Sequence, residues 1–311
     1  MIALGIDTSC YTTSVALADT EGSLRSERKL LPVRLGDAGL RQSDAVFLHN
    51  RQLPQLLEQL FLKGSAPQCV CASVSPRAGE DSYMPVFLVG AGMGRGIAAA
   101  LGVPFFETTH QQGHLRAARV DSGLNADTFL ALHLSGGTTE ILLCDQGRVT
   151  PLGSGLDLHA GQLVDRLGVM LGLPFPAGPH LETLAEGAEA RGLIPSSVEG
   201  CSCHLSGAET KLKQLQSTLT AAQLAAETYD VLCRTILRML DHAAKETGVS
   251  QALLFGGVMS SRRMRSLCLE RVARRRIPLS LYFGRPEYSG DNAVGVALIG
   301  LERMETYGGH S

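Results

Sequence analysis

One short device occurs twice in this chain, about 130 residues apart, and it limits the fold more than any other feature. Ile2–Ala18 runs as an apolar stretch into Asp7-Thr8-Ser9-Cys10-Tyr11-Thr12-Thr13 and returns through Ser14-Val15-Ala16-Leu17-Ala18. Phe129–Cys144 repeats the plan, with Ser135-Gly136-Gly137-Thr138-Thr139 at its tip. Each reads as a β-hairpin closed by small or hydroxyl residues. Such a tip lets backbone N–H groups approach an anion closely. Two copies predict a duplicated α/β fold of two lobes with a cleft between them. A third apolar strand, Ala252–Phe255, enters Gly256-Gly257-Val258-Met259-Ser260-Ser261 and then a helix from Arg262 to Arg271, with Met264, Leu267 and Leu269 as its apolar positions. A strand–Gly-Gly–helix junction lets a nucleoside lie against backbone at a helix start. Each of these turns alone is ordinary; three in this order point to a nucleotide site.

Length agrees with two lobes, because 311 residues suffice for about two cores. Thirty-five glycines, 5% aromatic residues and no Trp fit a turn-rich α/β protein better than a β-sandwich. Helical spacing marks Leu158–Leu173, Leu181–Ala190, Ala221–Thr247 and Ala293–Glu305, with a rigid Pro174–Pro179 loop between the first two. The lobes are expected at 1–120, joined by the last helix at 293–305, and at 121–292, with a helical insertion at about 157–250. Pro85–Phe106 carries a single charge, Arg95, but its run of glycines and its Pro104 predict a closely packed helix followed by a strand, not a bilayer span. No basic segment precedes Ile2, and the expectation is a cytoplasmic protein with no membrane partner. The eight cysteines include the C-x-C pairs Cys69/Cys71 and Cys201/Cys203, which lack the usual inner spacing of a zinc site and read as reduced structural thiols.

A net charge of −2 gives no overall attraction to nucleic acid. The only basic run is Arg262, Arg263, Arg265, Arg271, Arg274, Arg275 and Arg276. It reads as a solvated helix face rather than a phosphate contact, because Glu270 interrupts it. His110 and His114 are four apart. On a helix beginning at Thr108 or Thr109 they share a face and can share a metal ion; the same spacing also describes a solvated face. Gln111 stands where a His-Glu-x-x-His protease needs its general base, so that chemistry is disfavoured.

Taken together and in order, Gly5-Ile-Asp-Thr-Ser-Cys10, His110-x-x-x-His114, Ser135-Gly-Gly137, Asp157–Asp165 with Pro176-x-Gly-Pro179, Ser206-Gly207, Gly256-Gly-Val258 with Arg262-Arg-x-Arg265, and Ser289-Gly-Asp-Asn292 resemble the Gcp/TsaD family over nearly the whole chain. These are tRNA threonylcarbamoyladenosine transferases, formerly called glycoproteases, built on the actin-like ATPase (ASKHA) fold. The resemblance implies His110, His114 and Asp291 as ligands of one divalent metal, Fe2+ or Zn2+. It implies Ser135, Gly136, Gly137 and Thr138 as a phosphate-facing loop. Asp165, Gly178, Glu182, Gly256, Gly257 and Ser261 would lie around an adenine nucleotide or threonylcarbamoyl-AMP. The metal would act as a Lewis acid on the acyl group, the loop would receive the leaving phosphate, and lobe closure would exclude water. His133, on the same strand face as Ser135, stands where some family members carry a tyrosine ligand. It is either a third imidazole ligand or a histidine satisfied within the sheet.

Implied partners are tRNA and either a smaller actin-like paralogue with an ATPase subunit of the same pathway, or a second copy of the chain. Departures from the family pattern stand at the site itself. Its Cys-Asp-Glu-Thr is here Cys10-Tyr11-Thr12-Thr13, and its Ser-Gly-Gly-His/Asn-Thr has Thr138. Its Asp-Asp-Ala-Ala-Gly-Glu is Asp157-Leu-His-Ala-Gly161-Gln162, an Asn is replaced by Ser261, and a Lys by Glu209. The losses suggest a divergent paralogue, and leave a non-catalytic nucleotide- and metal-binding scaffold as the alternative to the transferase. An actin-like kinase would need Mg2+-binding carboxylates facing the hairpins, of which Asp7 alone is present.

Overall fold

Strand β1 (Ile2–Thr8) is apolar and buried along nearly all its length, which suits the centre of a sheet covered on both faces. The computed structural model describes residues 1–9, 11–32, 40–62, 66–79 and 82–308; Cys10, at the first hairpin tip, lies outside them. The chain continues through β2 (Thr12–Asp19), β3 (Leu24–Leu30), α1 (Gln42–Phe61), β4 (Cys69–Ser75), α2 (Phe87–Leu101), β5 (Phe105–Thr109) and α3 (His110–Arg119). Next come β6 (Thr128–Leu134), β7 (Thr139–Asp145), β8 (Arg148–Ser154), α4 (Ala160–Met170), α5 (Gly178–Leu184), β9 (Ser197–Glu199), β10 (Ser202–His204), α6 (Ser206–Leu215) and α7 (Ala221–Thr247). The last elements are β11 (Gln251–Phe255), a 3-10 turn Gly257–Ser260, α8 (Arg262–Arg275), β12 (Ser280–Phe283), a 3-10 turn Pro286–Tyr288 and α9 (Val294–Gly308).

Two five-stranded sheets share one topology. The first has the order β3-β2-β1-β4-β5; the second, read from its other edge, is β8-β7-β6-β11-β12. In both, three antiparallel strands are followed by two added in parallel. The repeat seen in the two hairpins is therefore a repeat of whole sheets, and the fold is actin-like. Edge strand β3 is Leu-Arg-Ser-Glu-Arg-Lys-Leu and mostly exposed, so its charges discourage pairing with another chain.

The chain clusters into two compact units, Met1–Ala118 with Gly290–Ser311, and Arg119–Ser289. Asp291 thus belongs with the first unit rather than with 121–292. The core of the first unit gathers Leu4, Ile6, Val15, Leu53, Leu56 and Val70. The glycine-rich segment forms α2, and its glycines divide by face. A methyl on Gly90 or Gly94 would lie 2.8 Å from Thr8 Oγ1 or 2.9 Å from Phe105, whereas Gly92 and Gly96 face open space. Helix α3 starts at His110, later than expected, because Thr108 and Thr109 finish β5. Helix α7 begins with a Thr220/Gln223 capping box and stops at left-handed Gly248, matching its sequence limits. Helices α4 and α5 are shorter than the apolar spacing suggests. The His159 N-cap delays α4; Pro179 in the first turn of α5 starts it early, and a left-handed Gly187 lies just beyond its end. In α8 the buried positions are Met264 and Cys268, and Leu269 is exposed.

No described helix is long and apolar enough to cross a membrane. The seven described cysteines are free and buried. Burial pushes the Cys69 thiol to about 11 and that of Cys71 to about 12, so both pack as neutral groups.

Candidate metal centre and nucleotide cavity

Strand β5 runs without a loop into α3, so His110 stands at the junction and His114 one turn later. Asp291 joins them from just before α9, 177 residues after His114. The imidazole Nε2 atoms are 3.0 Å apart, and Asp291 Oδ1 lies 3.2 Å from His114 Nε2 and 3.6 Å from His110 Nε2. Among the described residues these three alone form a group able to hold a metal. Four ligands at ~2.0 Å from zinc would be separated by about 3.3 Å, and the observed triangle brackets that spacing. Two imidazoles and a carboxylate are a chemically suitable donor set, so the residues present fit a divalent transition metal.

Two glycines bring Asp291 there. A methyl built on Gly295 would stand 1.9 Å from the Gly113 carbonyl oxygen and 2.7 Å from the Ala117 nitrogen. On Gly113 it would meet Val296 Cγ2 at 3.0 Å. Helices α3 and α9 therefore cross backbone to backbone between the two histidines. Gly5 does the same for β1, since a methyl there would lie 2.4 Å from Ala297 N.

A second layer orients two of the three, His110 and Asp291. The fully buried Asp7 accepts from His110 Nδ1 at 3.0 Å and from the Ser73 hydroxyl. This fixes the tautomer that leaves His110 Nε2 free to ligate. Asp291 Oδ2 accepts from Ser9 Oγ at 3.0 Å and Thr12 Oγ1 at 3.1 Å, leaving Oδ1 toward the imidazoles. Thr12, at the family's Glu position, thus donates to the Asp291 carboxylate. Tyr11, at the Asp position, is exposed. Burial opposes charge on His110, but the Asp7 carboxylate, with Asp291, holds its pKa well above the ordinary value. Burial also opposes charge on Asp291, and the two histidines outweigh it, holding that carboxyl well below the usual range.

Beneath this layer lies His49, wholly buried, with Nε2 2.8 Å from the Ser9 carbonyl and Nδ1 2.8 Å from Thr13 Oγ1. Burial lowers its pKa. The neutral ring therefore donates from Nε2 to Ser9 O, and the single Thr13 hydroxyl proton serves either His49 Nδ1 or Gln52 Oε1, which lies 3.0 Å away. Nothing in sequence spacing marks His49. Its only signal is a histidine in the buried stripe of an amphipathic helix.

His133 is not one of the three. It belongs to the second unit, paired with Phe255 in register and stacked on that ring at 4.7 Å with planes 11° apart.

The second unit contains a cavity of about 510 Å3. Of the residues expected around a nucleotide, Gly136, Asp165, Gly178, Glu182, Gly257 and Ser261 line it. Ser135, Gly137, Thr138 and Gly256 are not among its lining residues. Ser135 N–H closes the turn onto Thr138 O at 2.8 Å and Gly137 N–H points to Ser135 Oγ at 3.4 Å, so two of the expected phosphate donors serve the loop itself. Gly256 adopts φ 97° with its missing side chain 2.3 Å from Leu134 O, which lets β11 end against β6. Asp165 accepts from Ala177 N at 2.9 Å, and Glu182 accepts from Arg263 N at 2.8 Å, capping α8 together with the Ser261 hydroxyl. Sequence reasoning missed Tyr229, whose hydroxyl donates to Gly178 O at 3.2 Å, and Gly161, where a methyl would lie 2.6 Å from Gly136 N.

A family profile described as tRNA N6-adenosine threonylcarbamoyltransferase matches residues 82–298, a span holding both histidines, Asp291 and the whole cavity. The chain belongs to the TsaD family. Curated TsaD relatives named tRNA N6-adenosine threonylcarbamoyltransferase include that of Methanopyrus kandleri, 30% identical over 97% of this chain and 87% of its own length. That of Neorickettsia sennetsu is 31% identical over 98% of this chain and 94% of its own. Among solved structures, HypF of T. kodakarensis superposes over 99% of this chain and 48% of its own, with TM-score 0.61 and 15% identity, a likeness of fold.

Proposed function

We propose that this TsaD-family chain is a metal-dependent transferase that moves threonylcarbamoyl from its mixed anhydride with AMP to the exocyclic amine of an adenosine in tRNA. The triangle of His110, His114 and Asp291, with edges of 3.0, 3.2 and 3.6 Å, is the observation that carries this reading. A divalent ion bound there, Zn2+ or Fe2+, would supply Lewis acidity to the oxygens of the acyl group. Asp7, Ser9 and Thr12 preorganise the ligands, so little reorganisation accompanies the reaction. In the second unit, the cavity lined by Asp165, Gly136, Gly178 and Gly257 would take an adenosine nucleotide, with Asp165 as acceptor for a ribose hydroxyl and the glycines permitting close backbone approach. A C–N bond forms to the adenosine amine as the C–O bond to phosphate breaks. AMP leaves with the electron pair, and the amine proton passes to solvent. The leaving group is a stable phosphate, so its departure needs no general acid.

Tyr11 and Thr12 also favour a second reading, a non-catalytic paralogue that binds metal and nucleotide. The two separate in one assay. Purified protein, loaded with Zn2+ or Fe2+ and given the anhydride and a tRNA transcript, with a smaller actin-like partner and an ATPase subunit added in a parallel arm, is expected to yield threonylcarbamoyladenosine on nucleoside analysis. Metal retention with no product in either arm would establish the paralogue instead.

A further inference from the structure

The basic run at 262–276 splits in two. Arg263 and Arg265 point inward and hold carbonyls: Arg263 that of Ala188, and Arg265 those of Met259 and Gly284. Arg271 and Arg234 clamp the buried Asp230. Arg275 and Arg276 instead join Arg234, Arg238, Lys245 and Arg271 around a groove of about 390 Å3 between α7 and α8. Leu237, Ile277 and Pro278 floor it, and Asp241 is the only carboxylate in its lining. Counting Asp230 behind it, the groove concentrates about four net positive charges in a chain of net charge −2. Arg238, Arg275 and Arg276 have no ion pair among the described residues.

A second observation is conformational. Arg276 ends α8 in the left-handed region, at φ 51° and ψ 42°. Glycine takes that position without strain, and Arg274 and Arg275 already complement the helix dipole, so neither the turn nor the dipole calls for arginine at 276. A strained residue whose charged side chain lines a groove is a sign of function. The cations along α7 run from Arg234 to Lys245, about 16 Å of helix at 1.5 Å per residue, which suits a row of anions rather than one.

We propose that this groove binds the phosphodiester backbone of RNA, guanidinium to phosphate, a contact that rests on the transferase reading for its choice of polyanion. The test is binding of a fluorescent tRNA transcript to the full chain across a salt series, with no anhydride present. Arg276→Gly is expected to keep or raise the melting temperature while weakening RNA binding about three- to tenfold. The triple variant R238Q/R275Q/R276G is expected to weaken it at least thirtyfold at ~0.1 M salt and to flatten the slope of log affinity against log salt by about 2, since each phosphate contact contributes ~0.7–0.9. Folded variants with wild-type affinity and salt slope would overturn the proposal, as would a wild-type chain that ignores RNA. Loss of RNA binding in the variants, in a protein that never makes modified adenosine, would leave the groove standing and remove the transferase reading.

Discussion

Gly295→Ala isolates what holds the candidate metal centre together. The new methyl would sit 1.9 Å from the Gly113 carbonyl, against an ordinary contact of about 3.5 Å. Both atoms belong to helix backbones, so relief requires α3 and α9 to separate by about 1.5 Å. The ligand triangle spans that same crossing, with His110 and His114 on α3 and Asp291 leading into α9. Metal bonds tolerate about 0.2 Å of error, so a shift of this size removes Asp291 from a shared ion. Metal affinity is expected to fall at least ~100-fold, equivalent to about 2.7 kcal/mol. Fold stability should fall by less, because about 1–3 kcal/mol of overpacking is partly offset by the helix propensity gained on leaving glycine, about 1 kcal/mol. Gly113→Ala is the control: its methyl meets a Val296 side-chain carbon at 3.0 Å, which can move, and backbone only at an ordinary 3.8 Å, at Val296 N. Chelator-competition titration with Zn2+, beside thermal melts, reads both quantities. Wild-type metal affinity in folded Gly295→Ala, or a larger loss in Gly113→Ala, would refute the reasoning.

Asp7→Asn keeps the shape but removes the charge behind His110 Nδ1, and Zn2+ affinity in the same titration should drop 10- to 100-fold with the fold intact. His49 is neutral in the fold and its pKa is lowered by burial, so the unfolded chain binds the extra proton near the ordinary value of about 6.5. Stability is therefore full above about pH 6.5 and declines below it. Urea melts at pH 7.5 and 5.5 should show a smaller loss in His49→Gln than in wild type. Gly161→Ala would push a methyl to 2.6 Å from Gly136 N at the cavity wall; calorimetry should show AMP affinity reduced at least tenfold with Zn2+ affinity unchanged.

Much of the fold was legible because it is written locally. The hairpins, the α7 limits and the glycine helix α2 follow from period, caps and turn residues within one short window. The His110/His114 pair is equally local, one helical turn. Asp291 came through the family resemblance, since no spacing rule connects residues 177 apart. For His133, strand alternation says which face a side chain takes but not which neighbour waits there, and the stack on Phe255 was not legible in the sequence. The basic run read as one solvated face, whereas α7, α8 and their neighbours divided it into structural arginines and a groove.

The order of residues by itself determined most of the elements, the duplication and the two imidazole donors of the candidate metal centre, because propensity and periodicity act over a few residues. Only the tertiary structure decided that Asp7, Ser9 and Thr12 serve as the supporting layer of that centre, and that Gly113 and Gly295 let two helices touch. Those roles depend on gaps of a few tenths of an ångström between segments far apart in the chain, and such distances exist only once the backbone has packed.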